Sequence, residues 1–190
     1  MNIDLININK SFDGEQVINN FNGIIEENKI TCIMGESGIG KTTLINMILG
    51  LEKPDSGKIL GLDQRKISAV FQEDRLCEEF NCIQNLRIVC DRNISDKELT
   101  RLLYALELGE VMYKKVSLLS GGMKRRLAIG RALIFDADII VMDEPFKGLD
   151  RELHAKIIEL VKKKAKGKIL IVVTHNMEEV KSLNANLIVL

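Results

Sequence analysis

The stretch GESGIGKTT, residues 35–43, decides the reading of this chain. It fits the pattern G-x-x-x-x-G-K-[ST], with Gly35, Gly40, Lys41 and Thr42 at the fixed positions. The apolar segment Ile30–Met34 before it reads as a buried strand. The segment Thr43–Leu49 after it reads as a helix that ends at Gly50. A strand, a glycine-rich turn and a helix N-terminus together make an anion site, because free backbone N–H groups and the helix dipole converge there. Glycines let the backbone curl so that those groups point inward at phosphate oxygens. Lys41 adds a full positive charge for β- and γ-phosphates, and the Thr42 hydroxyl is placed to ligate Mg²⁺. The loop specifies a nucleotide phosphate and leaves the nucleotide, and the use of its energy, open.

Composition bounds the rest. The 190 residues suffice for one domain with a real core, or two lobes at most. Lys and Arg number 27, as do Asp and Glu. That balance argues against a nucleic-acid binder held by a bulk positive field. The longest apolar runs, such as Ile169–Val173, hold five residues, whereas a membrane span needs about 20. The start, MNIDLININK, lacks the basic and apolar regions of a signal peptide. Cys32, Cys77, Cys82 and Cys90 form no C-x-x-C pair and read as reduced thiols of a cytosolic protein.

Taken in order, residues 3–8 alternate as a half-buried strand does, and 17–25 reads as a second strand interrupted by Asn20, Asn22 and Gly23. Lys10 to Gly14 reads as the turn between them. Its Phe12 either stacks on a purine ring or fills the core. Lys58–Leu62 and Lys66–Phe71 read as a hairpin around Asp63-Gln64-Arg65, with Gln72 at its end. From Glu73 to Lys115 helical spacing dominates, and Ser95 to Glu98 has the form of a capping box. Ser120 is a natural N-cap for a helix reaching Leu133, with Leu127, Ile129, Ala132 and Leu133 as apolar positions and Lys124, Arg125, Arg126 and Arg131 as polar ones. Residues 138–145 read as a buried strand ending in Asp143 and Glu144. An amphipathic helix over 151–164, a strand over 168–174 ending at His175, a helix over 177–183 and a strand over 187–190 complete the chain. The lysines at 162–168 read as solvated charge at a helix C-terminus. Strands alternating with helices predict an α/β domain with a mainly parallel sheet.

In such a sheet, ligands bind at the carboxyl ends of the strands. Three strands end in reactive residues: one delivers the phosphate loop, one Asp143 and Glu144, one His175. Asp143 is suited to hold Mg²⁺ and Glu144 to polarise an attacking water as general base. His175 can reach a γ-phosphate or orient the base. Ser120-Gly121-Gly122, opening a helix, is a second potential anion site. Two such sites for one nucleotide suggest that the second serves a nucleotide held by another copy.

The ordered set GESGIGKTT, Gln72, LSGGM at 119–123, IIVMDEP at 139–145, GLD at 148–150 and His175 resembles the ATP-binding subunit of ATP-binding-cassette (ABC) transporters. The likeness covers essentially the whole chain. It implies a P-loop NTPase core, an N-terminal antiparallel β subdomain and an inserted helical subdomain over about 73–117. It implies ATP and Mg²⁺, with Gly35, Glu36, Ser37, Gly38, Ile39, Gly40, Lys41, Thr42 and Thr43 around the phosphates and Phe12 stacked on adenine. Thr42, Gln72 and Asp143 become the metal-side residues. Lys41, Gln72, Glu144 and His175 become the hydrolytic set. Ser120, Gly121 and Gly122 face the nucleotide of a second ATP-binding subunit, and Asp150 lies in a loop that crosses to it. Further implied partners are transmembrane permease subunits, with or without a substrate-binding protein, and no nucleic acid. The implied place is cytoplasmic, on the inner face of the membrane. Met123, VFQEDRL at 70–76 and MDEPFKGLD are similar to importers of nitrate, sulfonates or taurine.

Three features depart from the family pattern. The connection from Gly57 to Gln72 is short, Phe12 replaces a commoner tyrosine, and the usual C-terminal extension is expected to be missing. Two other functions fit parts of the set: a soluble ATPase of this superfamily acting on nucleic acid or the ribosome, and a sensor that binds nucleotide without cleaving it. The intact Glu144, His175 and Gln72 count against the sensor.

Overall fold

The structure is a computed structural model describing residues 1–190. Two sheets build it. Strands β1 (Ile3–Phe12), β2 (Glu15–Ile25) and β4 (Ser56–Leu60) form an antiparallel sheet in the order β2-β1-β4. Strands β3 (Ile30–Met34), β5 (Ile67–Val70), β6 (Ile139–Asp143), β7 (Ile169–Val173) and β8 (Asn186–Val189) form a parallel sheet in the order β5-β6-β7-β3-β8.

Three local expectations change. Lys10 to Phe12 belong to β1, and the turn is only Asp13-Gly14, with φ of 50° and 86°. Two consecutive positive φ angles match the right-handed twist of the flanking strands, so Phe12 pairs directly with Glu15. Asn20, Asn22 and Gly23 lie inside a continuous β2, and the β1–β2 register shifts at bulges near Asn7 and Asn20. Asn7 and Asn20 are left-handed, and their N–H groups donate to Asn22 Oδ1 and Asn9 Oδ1. The hairpin expected around residues 63–65 does not form. Gly61 and Gln64, at φ of 85° and 61°, swing the chain from one sheet to the other. β4 therefore pairs with β1, and β5 becomes the parallel edge beside β6. Gly57 makes the first pairing possible, because a Cβ there would sit 2.3 Å from the Asn7 carbonyl oxygen.

Side-chain alternation divides the core. Ile139 and Val141 of β6 and Ile169, Ile171 and Val173 of β7 face α1 (Lys41–Ile48) and the antiparallel sheet. Ile140, Met142, Leu170 and Val172 face the other way, onto α4 (Gly121–Ile134), α5 (Arg151–Lys164) and α6 (Met177–Leu183). Between β5 and α4 lie α2 (Cys82–Arg87), α3 (Asp96–Ala105) and two single turns of 3₁₀ helix. Ser95 and Glu98 form the expected capping box on α3. Asn81 and Gln84 form a second one on α2, which supplies the N-terminal hydrogen bonds a six-residue helix otherwise lacks. No helix is long and apolar enough to cross a membrane.

Candidate active site

The order β6-β7-β3 sets three strand ends side by side: Asp143 is in register with Val173, and Val173 with Ile33. The loops that follow carry Glu144, His175 and Gly35 onward, so the three segments singled out in the sequence meet at one edge.

After β3 the chain enters the glycine loop. Gly38 and Gly40 are left-handed, at φ of 83° and 106°. Gly40 caps α1 with no side-chain hydrogen bond, which leaves the first-turn N–H groups to an external acceptor. A Cβ on Gly40 would lie 3.0 Å from both Val17 and Ile18. Lys41 Nζ donates to the carbonyls of Gly35 (2.9 Å) and Glu36 (2.6 Å). It has no carboxylate partner, so its charge is available to an incoming anion. Glu36, Ser37, Gly38 and Ile39 are exposed at the loop tip, and Thr43 is half-buried.

Thr42 Oγ1 donates to Asp143 Oδ2 at 3.3 Å. Alternation explains the meeting: Asp143 falls on the α1 side of β6, with Ile139 and Val141. Burial pushes its carboxyl up, opposed by the Thr42 hydroxyl and reinforced by the neighbouring Glu144 charge. A buried carboxylate facing one hydroxyl beside a phosphate loop fits Mg²⁺, which takes few protein ligands and completes its shell with phosphate oxygens and water. No group of three or more His, Cys, Asp and Glu side chains forms an all-protein metal cage. Gln72 is exposed just beyond β5. Its carbonyl faces Arg125 at 3.5 Å, and its side chain makes no hydrogen bond with Thr42 or Asp143.

Glu144 turns sharply out of β6 at φ 46°, and its N–H donates to the Val173 carbonyl. His175 Nδ1 lies 3.3 Å from Oε1 and Lys147 Nζ lies 3.2 Å from Oε2. The Lys147 contact is an ion pair without hydrogen-bond geometry, so Oε2 is a buried oxygen with no donor. Burial pushes the Glu144 carboxyl up, but Lys147 and His175 outweigh it and hold the group below its ordinary range. An ionised carboxylate with one open oxygen can accept a proton from water. Lys147 was not singled out in the sequence; its i+3 spacing from Glu144 was the available signal.

Arg125 was misread. It belongs to the polar set of α4 by spacing, yet it is 7% exposed. Its guanidinium donates to the carbonyls of Phe71, Asp143 and Glu144 and pairs with Asp74 at 3.1 Å. It ties the segment after β5 to the carboxylate end of β6. Arg126 is equally buried. Of the basic positions on this helix, Lys124 and Arg131 are half-buried.

Phe12 stands 43% exposed at the end of β1, with Lys10 Nζ 5.0 Å from its ring centre. It is a surface ring and not core. Ser120 caps α4 by accepting from the Met123 N–H, and the space around Gly121 is open.

A parallel sheet, a glycine loop ending in Lys-Thr and a carboxylate facing that threonine define a P-loop NTPase. The family described as ABC transporter matches residues 18–147. The chain is 34% identical over 206 residues to the spermidine/putrescine import ATP-binding protein PotA of Fusobacterium nucleatum, covering 99% of this chain and 54% of that protein. It is 36% identical over 207 residues to the Nod factor export ATP-binding protein I of Bradyrhizobium diazoefficiens, covering 100% and 67%. It is 38% identical over 205 residues to the Nod factor export ATP-binding protein I of Rhizobium johnstonii, covering 99% and 66%. The chain belongs to the ABC transporter family. It spans about half to two thirds of the length of these relatives. They are named for polyamine import and Nod factor export, and so lend no support to the likeness with nitrate, sulfonate or taurine importers.

Proposed function

We propose that this chain binds ATP with Mg²⁺, hydrolyses it, and powers transport through separate transmembrane subunits. The observation that carries the reading is the convergence of Lys41, the Thr42–Asp143 pair and the Glu144–His175 pair at one edge of the parallel sheet. On binding, Lys41 exchanges the Gly35 and Glu36 carbonyls for β- and γ-phosphate oxygens, and the loop N–H groups take the rest. Thr42 and Asp143, joined by Gln72 once its side chain turns inward, would hold Mg²⁺, which would neutralise charge on those oxygens. Glu144 accepts a proton from water as its oxygen bonds to the γ-phosphorus and the bond to the bridging oxygen breaks, leaving ADP and phosphate. His175 contacts the γ-phosphate while holding Glu144. Phe12 stacks on the adenine.

The site is completed by a second ATP-binding subunit, whose Ser120, Gly121 and Gly122 close over the γ-phosphate; Asp150 lies at that contact. The helical subdomain, about 73–117, and Gln72 meet the permease, on the inner face of the membrane. The relatives' names support the transport role, since they include both an import and an export ATP-binding protein. Single-turnover hydrolysis of Mg-ATP by the purified chain, over a range of protein concentrations, tests this. Turnover per subunit rises with concentration as pairs form. Tight binding without cleavage at any concentration indicates a sensor, and stimulation by nucleic acid instead of permease indicates a soluble ATPase.

A further inference from the structure

Behind Glu144 and His175 lies a polar cluster that the hydrolytic scheme does not use. Glu179, on α6, is 7% exposed and has no Lys or Arg partner. Its Oε2 accepts from Thr174 Oγ1 at 2.5 Å, and its Oε1 lies 3.1 Å from His154 Nε2 on α5. Thr174 is 2% exposed and accepts in turn from the Asn176 N–H at 3.0 Å. The His154 ring packs edge-on against Phe146, with centroids 5.4 Å apart. Thr174 is the residue before His175, and Phe146 lies two residues after Glu144. The sequence Glu144-Pro145-Phe146, His154, Glu179, Thr174-His175 is therefore a closed circuit, completed by the 3.3 Å contact from His175 to Glu144. All of these residues except Pro145 line one cleft of about 240 Å³.

Strand alternation again explains the placement. Thr174 continues β7 with the parity of Leu170 and Val172, toward α5 and α6, whereas Asp143 points to α1. The polar end of the sheet thus feeds two networks on opposite faces. A buried carboxylate is costly unless its acceptors are filled. Here Thr174, beside His175, fills one oxygen, and His154, which packs on Phe146 two residues after Glu144, lies against the other.

We propose that Glu179 is a positioning residue for the hydrolytic pair: through Thr174 it fixes His175, and through His154 and Phe146 it fixes the segment carrying Glu144. This rests on the reading of Glu144 and His175 given above. Thr174→Val keeps the shape and removes the hydroxyl; His154→Leu removes the second partner. Each lowers kcat about tenfold, the scale of a small misplacement. KM for ATP stays within about twofold, since the phosphate loop is untouched. Thr174→Ser and His154→Gln, which keep a hydroxyl and an N–H, restore kcat. Because both changes act through one carboxylate, the double variant also loses about tenfold, not a hundredfold.

A second readout needs no turnover. The chain has two histidines, so His154→Leu leaves His175 as the only imidazole in an NMR spectrum. Its ring resonances in the nucleotide-free protein shift in His154→Leu and in Thr174→Val, and return with the Ser and Gln variants. Unmoved His175 resonances, unchanged kcat, or fully additive losses overturn the proposal. A wild-type chain that cleaves no ATP overturns the hydrolytic reading instead, and the ring resonances still decide the positioning. Should Thr174→Val fail to fold, His154→Leu carries the same test from the far end of the circuit.

Discussion

Thr42 Oγ1 and Asp143 Oδ2 lie 3.3 Å apart across 101 residues of sequence. The contact joins the first turn of the phosphate-loop helix to the end of β6 and leaves two hard oxygen donors facing one point. Removing either donor should weaken the metal before it weakens the fold. Thr42→Ala is expected to raise the Mg²⁺ concentration for half-maximal hydrolysis about tenfold or more, and EDTA to abolish turnover. A Mg²⁺ titration of phosphate release checks this; an unchanged midpoint in Thr42→Ala removes the hydroxyl from the metal site.

Glu144→Gln keeps the shape and the His175 contact but cannot take a proton. Hydrolysis should fall about 100-fold or more, with ATP still bound, and size-exclusion chromatography with ATP should reveal a persistent dimer. Near-normal turnover would place the base elsewhere.

Lys147 tests the electrostatics of the same carboxylate. Burial alone would raise the Glu144 pKa; Lys147 and His175 together lower it. A base must be ionised to act, so a lowered pKa extends activity toward acid. Lys147→Ala removes one cation and should move the acid limb of the kcat–pH profile to higher pH. A limb that stays in place, or moves toward acid, shows that Lys147 does not govern the base.

Arg125 should matter to stability as much as to chemistry. Its guanidinium serves the Phe71, Asp143 and Glu144 carbonyls and the Asp74 carboxylate from a buried position. Arg125→Ala strands those acceptors and should cost about 3–5 kcal/mol in urea unfolding. Lys cannot reproduce the planar fork and should rescue little of it. A loss under about 1 kcal/mol would show that water replaces the guanidinium there.

The contrast between Arg125 and Lys41 marks what was legible in the sequence. The phosphate loop is local: strand, glycines, lysine and threonine are contiguous, and each residue type carries its own chemistry. The helices at 151–164 and 177–183 were equally plain, because caps and amphipathic spacing are also local. β4 and β5 look like hairpin partners because sequence neighbours usually pair, and only the left-handed Gly61 and Gln64 send them to different sheets. Arg125 and Glu179 are polar residues on amphipathic helices, and periodicity assigns such residues to solvent. Their partners, backbone carbonyls and Thr174, come from other strands and loops and become visible only once the parallel order is known.

The cysteines offer a test of the core that is independent of nucleotide. Cys77 is exposed and Cys90 half-buried, while Cys32 on β3 and Cys82 on α2 are fully buried. Burial pushes the Cys32 thiol from 9.0 up to about 12, with the Glu179 charge adding to it, and pushes Cys82 up to about 11. The thiolate is the species that alkylates. In the native protein at pH 8, iodoacetamide should therefore modify Cys77 first and Cys90 more slowly, and should spare Cys32 and Cys82 until denaturant is added. Peptide mass mapping over time reads the order. The same shifts carry a sign for stability. The unfolded thiol ionises near 9 while the folded Cys32 stays protonated to about 12, so above pH 9 the unfolded state sheds protons that the native state keeps. Stability fully present below pH 9 is then lost progressively toward pH 12. Cys32→Ser, which does not ionise in this range, should flatten that alkaline decline at some cost to stability at neutral pH. An equally steep decline in Cys32→Ser would assign the alkaline sensitivity to other groups.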